Sequence, residues 1–292
     1  MKLAEKLLSA NADEVLALLV KNKRMEIGEI AGNLKCSKAS AVDALEVLQE
    51  RGAMLRYVNG AYVLDKEPKV GAVREFVFTS NAKGEYNFGL YSDQHICSKY
   101  ARLDVGEDIF DKFQERGIKT ILNAGNWIDG EARFNKHDLL VHGMDEQCNE
   151  LARVYPQRKG ITTYAVAGDD HEGWYSQNIG TDIGSHAERI MRENGRKDWI
   201  HVGYMEAFLT LKHRESGKTC QILLMHPGGG SAYAISYQPQ KIVESFSGGE
   251  KPAAVLIGHY HKMSYQYTRN THTIQCGCFT GNTRITTKFG EK

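Results

Sequence analysis

Five short apolar runs in this 292-residue chain each stop at side chains that bind metals. Asn87-Phe88-Gly89-Leu90-Tyr91-Ser92 leads into Asp93 and, two residues later, His95. Thr120-Ile121-Leu122 reaches Asn126 through Asn123-Ala124-Gly125, with Asp129 three residues on. Thr163-Tyr164-Ala165-Val166-Ala167 ends in Gly168-Asp169-Asp170-His171-Glu172. Ile222-Leu223-Leu224-Met225 ends in His226, and Ala254-Val255-Leu256-Ile257 ends in Gly258-His259-Tyr260-His261. Imidazoles with carboxylate and amide oxygens suit Mn2+, Fe or Zn2+ better than an all-oxygen Mg2+ or Ca2+ cage. No Cys-x-x-Cys pair is present, so a thiolate zinc site is not indicated. So many N and O donors exceed the needs of one tetrahedral ion and suit two, roughly 3.5–4 Å apart.

The elements that would position these groups follow from the runs themselves. Each is short, rich in Val, Ile and Tyr, and bounded by Gly or polar residues, as buried strands are. In open α/β sheets, functional groups gather beyond the carboxyl ends of the strands. Five strands therefore deliver Asp, Asn and His to one rim. Helices are expected near Val105–Arg116, Asp138–Tyr155, Ile183–Asn194 and Pro239–Phe246, with late strands near Lys262–Thr268 and Thr271–Phe279. Such alternation predicts α/β sheets sandwiched between helices.

In order and spacing, these motifs resemble the calcineurin-like metallophosphoesterases over about residues 72–285. The family pattern is Asp-x-His, Gly-Asp-x-x-Asp, Gly-Asn-His-(Asp/Glu), a single His after a strand, then Gly-x-His-x-His. The resemblance implies a two-sheet αββα sandwich and a dimetal phosphoesterase, in which metal-activated hydroxide attacks phosphorus. It implies that Asp93, His95 and His261 hold one ion, that Asp170, His226 and His259 hold the other, and that Asn126 bridges them. His171 matches the histidine that assists the leaving group; Asp129, Asp169 and Glu172 are candidates to orient histidine ligands.

Two positions depart from the pattern. Asn126 stands where the family has a bridging aspartate, and Asp170 where it has an asparagine. The carboxylate count is conserved, as expected of a compensated exchange native to a subfamily. An Asp-to-Asn substitution that traps substrate and a decayed site are the rival accounts. Arg133 follows the second ligand strand and is a candidate to reach phosphate; Trp174 is a candidate to stack on a nucleobase.

Residues 1–66 are a separate object. Leu3–Leu8, Val15–Val20 and Met25–Ala31 show helical apolar spacing, and Ser37 is placed to cap a helix carrying Val42, Leu45, Val47 and Leu48. Two short β-type runs flank Asn59-Gly60, a strong hairpin signal. Three helices and a hairpin resemble a winged helix-turn-helix, with Lys35, Lys38, Arg56 and Tyr57 as candidate DNA contacts. The segment holds ten Lys and Arg against nine Asp and Glu, so any basic face is local. Asp65-Lys66-Glu67-Pro68-Lys69 has linker composition; residues 67–71 are taken as the linker and 72–292 as the catalytic domain.

A formal charge of +1 gives no long-range pull on nucleic acid, and 41% apolar residues suffice for a sizeable core. No segment reads as membrane-spanning or as a signal peptide, and six scattered cysteines fit a reduced, cytoplasmic setting. Three functions are in play: a DNA nuclease of the type phages and prophages carry, a phosphodiesterase or phosphatase for small or cyclic nucleotides, and a DNA-binding regulator with an impaired metal site.

Overall fold

The computed structural model describes residues 2–50, 55–58, 60–64, 75–230, 234–247 and 251–281; among these the side chains of 2–11, 49–50, 56, 58 and 64 are not described. The chain divides into two compact units, Met1–Arg74 and Glu75–Lys292. The proposed linker at 67–71 lies outside the described residues.

In the first unit, α1 (Lys2–Asn22) is one helix across both apolar stretches read from the sequence. β1 (Arg24–Met25) leads to α2 (Ile27–Leu34), whose entry is closed by Glu26 N donating to Glu29 Oε2 at 2.8 Å. Lys35 turns the chain at φ 52°, and Ser37 Oγ accepts from Ser40 N (3.1 Å) to cap α3 (Lys38–Glu50). Ala12, Val15 and Leu19 on α1 meet Ile30, Ala41, Leu45 and Leu48, the one-face spacing of helices. β2 (Leu55–Val58) and β3 (Ala61–Leu64) form an antiparallel hairpin, and β1 pairs with β3.

The second unit contains two sheets. The smaller joins β5 (Gly89–Tyr91), β6 (Thr120–Asn123), β7 (Thr162–Ala167) and β8 (Trp199–Tyr204), all parallel and in that order. The larger sheet takes β4 (Phe76–Thr79), β9 (Glu206–Lys212), β10 (Thr219–Met225), β11 (Ala254–Ile257), β12 (Ser264–Thr268) and β13 (Thr271–Gln275). Its order is β12-β13-β11-β10-β9-β4.

Alternation along the strands builds the layers. Leu122, Val166, Ile222, Leu224 and Leu256 fill the space between the sheets. Their neighbours Ile121 and Ala165 face the opposite way, into a core with Phe110, Leu151 and Ile190. Those three belong to α4 (Leu103–Glu115), α5 (Met144–Val154) and α7 (Ile183–Glu193). On the far side, Leu223, Val255 and Ile257 pack with Ile242 of α8 (Tyr237–Ser245). The result is the αββα sandwich expected from the sequence.

The long helix expected over Asp138–Tyr155 is shorter. A 3-10 turn (Lys136–Asp138) precedes Gly143 at φ 89°, a conformation that suits glycine, and α5 starts only at Met144. Strands β4, β8 and β9 and the helix α6 (Gly173–Ile179) were not anticipated.

Candidate metal centre

Five loops beyond strand ends converge, and left-handed backbone aims their side chains. Asp93, His95, Asn126, His259 and His261 have φ of 54°, 48°, 51°, 80° and 56°. Non-glycine residues visit this region at a cost, and such residues cluster at functional sites. Hydrogen bonds between loops hold them there: Asp93 N donates to Gly125 O (2.9 Å), His95 N to Asn126 O (2.9 Å) and His259 N to Asp93 Oδ2 (3.0 Å).

Three three-donor clusters result among the described residues, Asp93–His95–His261, Asp170–His226–His259 and His95–Asp129–His171, the last sharing His95 with the first. In the first, Asp93 is fully buried and receives Ser92 Oγ at 2.5 Å. His261 Nε2 lies 3.3 Å from Asp93 Oδ1 and 3.2 Å from His95 Nε2. His95 Nδ1 donates to Asp129 Oδ1 (2.9 Å), which leaves Nε2 as the ring's acceptor atom in its neutral form. In the second cluster, His226 Nδ1 donates to Ala124 O (2.6 Å) and His259 Nε2 to Gly229 O (2.5 Å). Their other nitrogens face Asp170, His226 Nε2 at 3.4 Å from Oδ1 and His259 Nδ1 at 3.2 Å from Oδ2.

These residues fit divalent ions. His259 Nδ1 is buried with no hydrogen-bond partner, its lone pair facing a carboxylate oxygen. An acceptor opposite an acceptor at that distance repels unless a proton or a cation lies between them. The outer ring nitrogens of His95, His226 and His259 are tied to a carboxylate or a carbonyl, the arrangement that orients a ligating histidine, while His261 also meets the Cys278 side chain.

The electrostatics tell the same story. Burial opposes charge on His261 and His226, but Asp93 and Asp170 outweigh it and raise the rings to about 11 and about 9. The same pairings hold both carboxylates below their usual range against burial. Burial and the neighbouring His171 lower His95 to about 4.

Asn126 lies between the clusters. With its amide nitrogen turned inward, it donates to Glu172 Oε2 (3.1 Å) and Asp170 Oδ1 (3.2 Å). Glu172 Oε1 accepts from the backbone N–H groups of Asn126 (2.9 Å) and Gly168 (2.8 Å), so Glu172 clamps two loops and orients no histidine. Burial raises its carboxyl to about 7.

His171 stands beside the first cluster, its ring centroid 4.3 Å from that of His95. Asp129 Oδ1 lies 3.0 Å from His171 Nδ1, so one carboxylate holds both rings. Burial opposes charge on His171, yet the Asp129 contact raises its pKa. Asn135 Nδ2 steadies Asp129 through its backbone O (2.7 Å) and Oδ2 (3.1 Å).

Other candidates fall elsewhere. Asp169 turns its carboxylate toward Gly228, with Oδ1 buried and unpartnered. Arg133 is exposed. Trp174, on α6, is half-buried, and among the described residues its ring pairs with no other aromatic ring. The aromatic ring beside His171, in addition to His95, is that of Phe134, 61% exposed, with ring centroids 5.5 Å apart at 87°. Its place in the loop carrying Arg133 is the one sequence signal that pointed toward it. Ser92, Asn135 and the Gly229 carbonyl are also contributors that spacing alone does not reveal. In the first unit Lys35 and Lys38 flank the turn between α2 and α3, and Tyr57 is exposed and packs on Tyr62 (centroids 5.0 Å). The Arg56 side chain lies outside the described residues.

No family model and no curated protein matches this chain. Solved structures do. One is an archaeal phosphodiesterase at 12% identity, covering 65% of this chain and 83% of that one, with a TM-score of 0.36. Another is the zinc complex of Vps29 from Entamoeba histolytica, at 16% identity, 66% and 75% coverage and a TM-score of 0.31. A third is a predicted phosphoesterase from Streptococcus pneumoniae, at 14% identity, 68% and 76% coverage and a TM-score of 0.29. At such scores the case for function rests on this chain's own geometry.

Proposed function

We propose that this chain is a metal-dependent phosphoesterase that cleaves phosphodiester bonds, acting as a DNA nuclease. The observation that carries the chemistry is the pair of Asp/His clusters at one rim with a third, carboxylate-held histidine beside them. Asp93, His95 and His261 would hold one divalent ion and Asp170, His226 and His259 a second, with Asn126 between; Mn2+ suits the mixed N and O donors, as do Fe and Zn2+. Bound ions of this kind neutralise phosphate charge and make hydroxide available near neutral pH.

The chain's own groups do the rest. Asp129, held charged by its two histidine partners against burial, fixes the His171 ring through Nδ1 and favours its protonated form. The opposite nitrogen, Nε2, is then the atom that gives a proton to the leaving oxygen. His95 is oriented by the same carboxylate, so one group sets both a ligand and the acid.

The nuclease assignment rests on the first unit. Its order α1-β1-α2-α3-β2-β3 matches a winged helix-turn-helix, with α3 as the helix for a major groove and Lys35, Lys38, Arg56 and Tyr57 as contacts. A second reading, a small-nucleotide or cyclic-nucleotide phosphodiesterase, is favoured by the near balance of charge in residues 1–66. Among the described residues no helix is long and apolar enough to cross a membrane.

The test refills metal-stripped protein with Mn2+ and offers linear DNA, bis-p-nitrophenyl phosphate and 2′,3′-cyclic nucleotides in parallel. Cleavage of DNA, weakened by salt and by Lys38→Glu, is the expected result. Turnover of the small diesters alone moves the assignment to the nucleotide enzyme. Bound metal with no turnover of any substrate leaves a DNA-binding regulator.

A further inference from the structure

The loop after β6 holds an apolar ring in water beside the proton donor. Gln147 Nε2 donates to Gly130 O (3.0 Å), Ala132 N to Asn135 Oδ1 (2.9 Å), and Asn135 Nδ2 to Asp129 O (2.7 Å). Ala132 is fully buried, so the loop is anchored on both sides of Phe134. Phe134 is nonetheless 61% exposed and takes no part in the cores described above; its ring meets His171 edge-on, centroids 5.5 Å apart. The anchored loop thus presents an exposed apolar ring beside His171. Aromatic faces accept bases and aryl rings by stacking, whatever the sequence of bases.

We propose that Phe134 is a stacking platform for the nucleobase of the esterified nucleoside, which makes base-bearing phosphates the preferred ligands over aliphatic ones. This rests on the phosphoesterase assignment for its place in catalysis. The sequence offered Trp174 for that task; position relative to His171 favours Phe134 instead. Stacking of this kind is a specificity device, since it improves binding of the base without touching phosphorus.

The test compares adenosine 5′-monophosphate with ribose 5-phosphate, which lacks the base, by titration calorimetry on the full Mn2+-loaded chain. The native protein is expected to bind the nucleotide about 5- to 100-fold more tightly. Phe134→Ala should bring the two ligands within about twofold, and Phe134→Tyr should restore the preference. Unchanged melting temperatures and metal content would show that the variants keep their fold. Equal affinities in the native protein, or a preference that survives Phe134→Ala, overturn the proposal. Hydrolysis of bis-p-nitrophenyl phosphate by the native chain is measured alongside. No hydrolysis with an intact base preference removes the phosphoesterase assignment while upholding the stacking platform.

Discussion

Single residues divide the labour of this centre in ways that substitutions can separate. Asp129 serves two rings, so Asp129→Asn should weaken divalent-ion affinity about 10- to 100-fold and lower activity together. His171→Ala should leave ion affinity nearly intact and lose far more rate on alkyl than on p-nitrophenyl esters, because a poor leaving group needs the proton more. Equal losses on both ester types would remove His171 as the donor. Asn126 answers to a different balance. Its amide lies 3.1 Å from Glu172 Oε2 and 3.2 Å from Asp170 Oδ1. A carboxylate there repels both neighbours, so Asn126→Asp should lower the melting temperature in EDTA yet raise it with Mn2+. An unchanged melt in EDTA would show that like-charge repulsion at this position is negligible.

At the scale of the elements, the strand ends need space as well as side chains. A Cβ on Gly258 would come within 2.3 Å of both Ala124 O and Ser92 Oγ, contacts that no rotamer can relieve on the backbone side. Gly258→Ala should therefore destabilise the second unit by about 2 kcal/mol or more, with reduced ion binding, as urea titration and metal analysis would report. The strands β5, β6, β7, β10 and β11 were legible because each pairs an apolar run with a polar stop. Strands β8 and β9 carry no such stop, although in β9 Ala207, Leu209 and Leu211 share one apolar face against Glu206, Thr210 and Lys212 on the other. Helix α6 is hidden for another reason: its seven residues are too few for periodicity to register. The histidines that gather in the clusters could be read from their spacing. Phe134 could not, since its meaning depends on the contact between two loops that lie 37 positions apart in the chain.

Over the whole molecule, protons and metal ions compete for the same sites. His226 and His261, raised to about 9 and about 11, carry protons at pH 7 that ligation must displace. Ion affinity should therefore climb with pH from 6 to 9, and calorimetry in buffers of different ionisation heat should record protons released on binding. Stability runs the other way in the metal-free protein. A ring whose folded pKa is raised contributes fully below its unfolded value, near 6.5, and loses that contribution as pH rises through 9 to 11. Metal-stripped protein should thus melt at a lower temperature at pH 9.5 than at pH 6.5, while excess Mn2+ narrows or reverses the gap. A metal-free melt that is flat over this range would place the two rings' protonation outside it.

The left-handed backbone at Asp93, His95, Asn126, His259 and His261 also bears on stability. Glycine adopts that conformation freely, whereas other residues incur about 1–2 kcal/mol there. Glycine at any one of them would release that cost together with the side chain and its contacts. Each of the five turns is thus a loaded position, held by the hydrogen bonds that run between the loops.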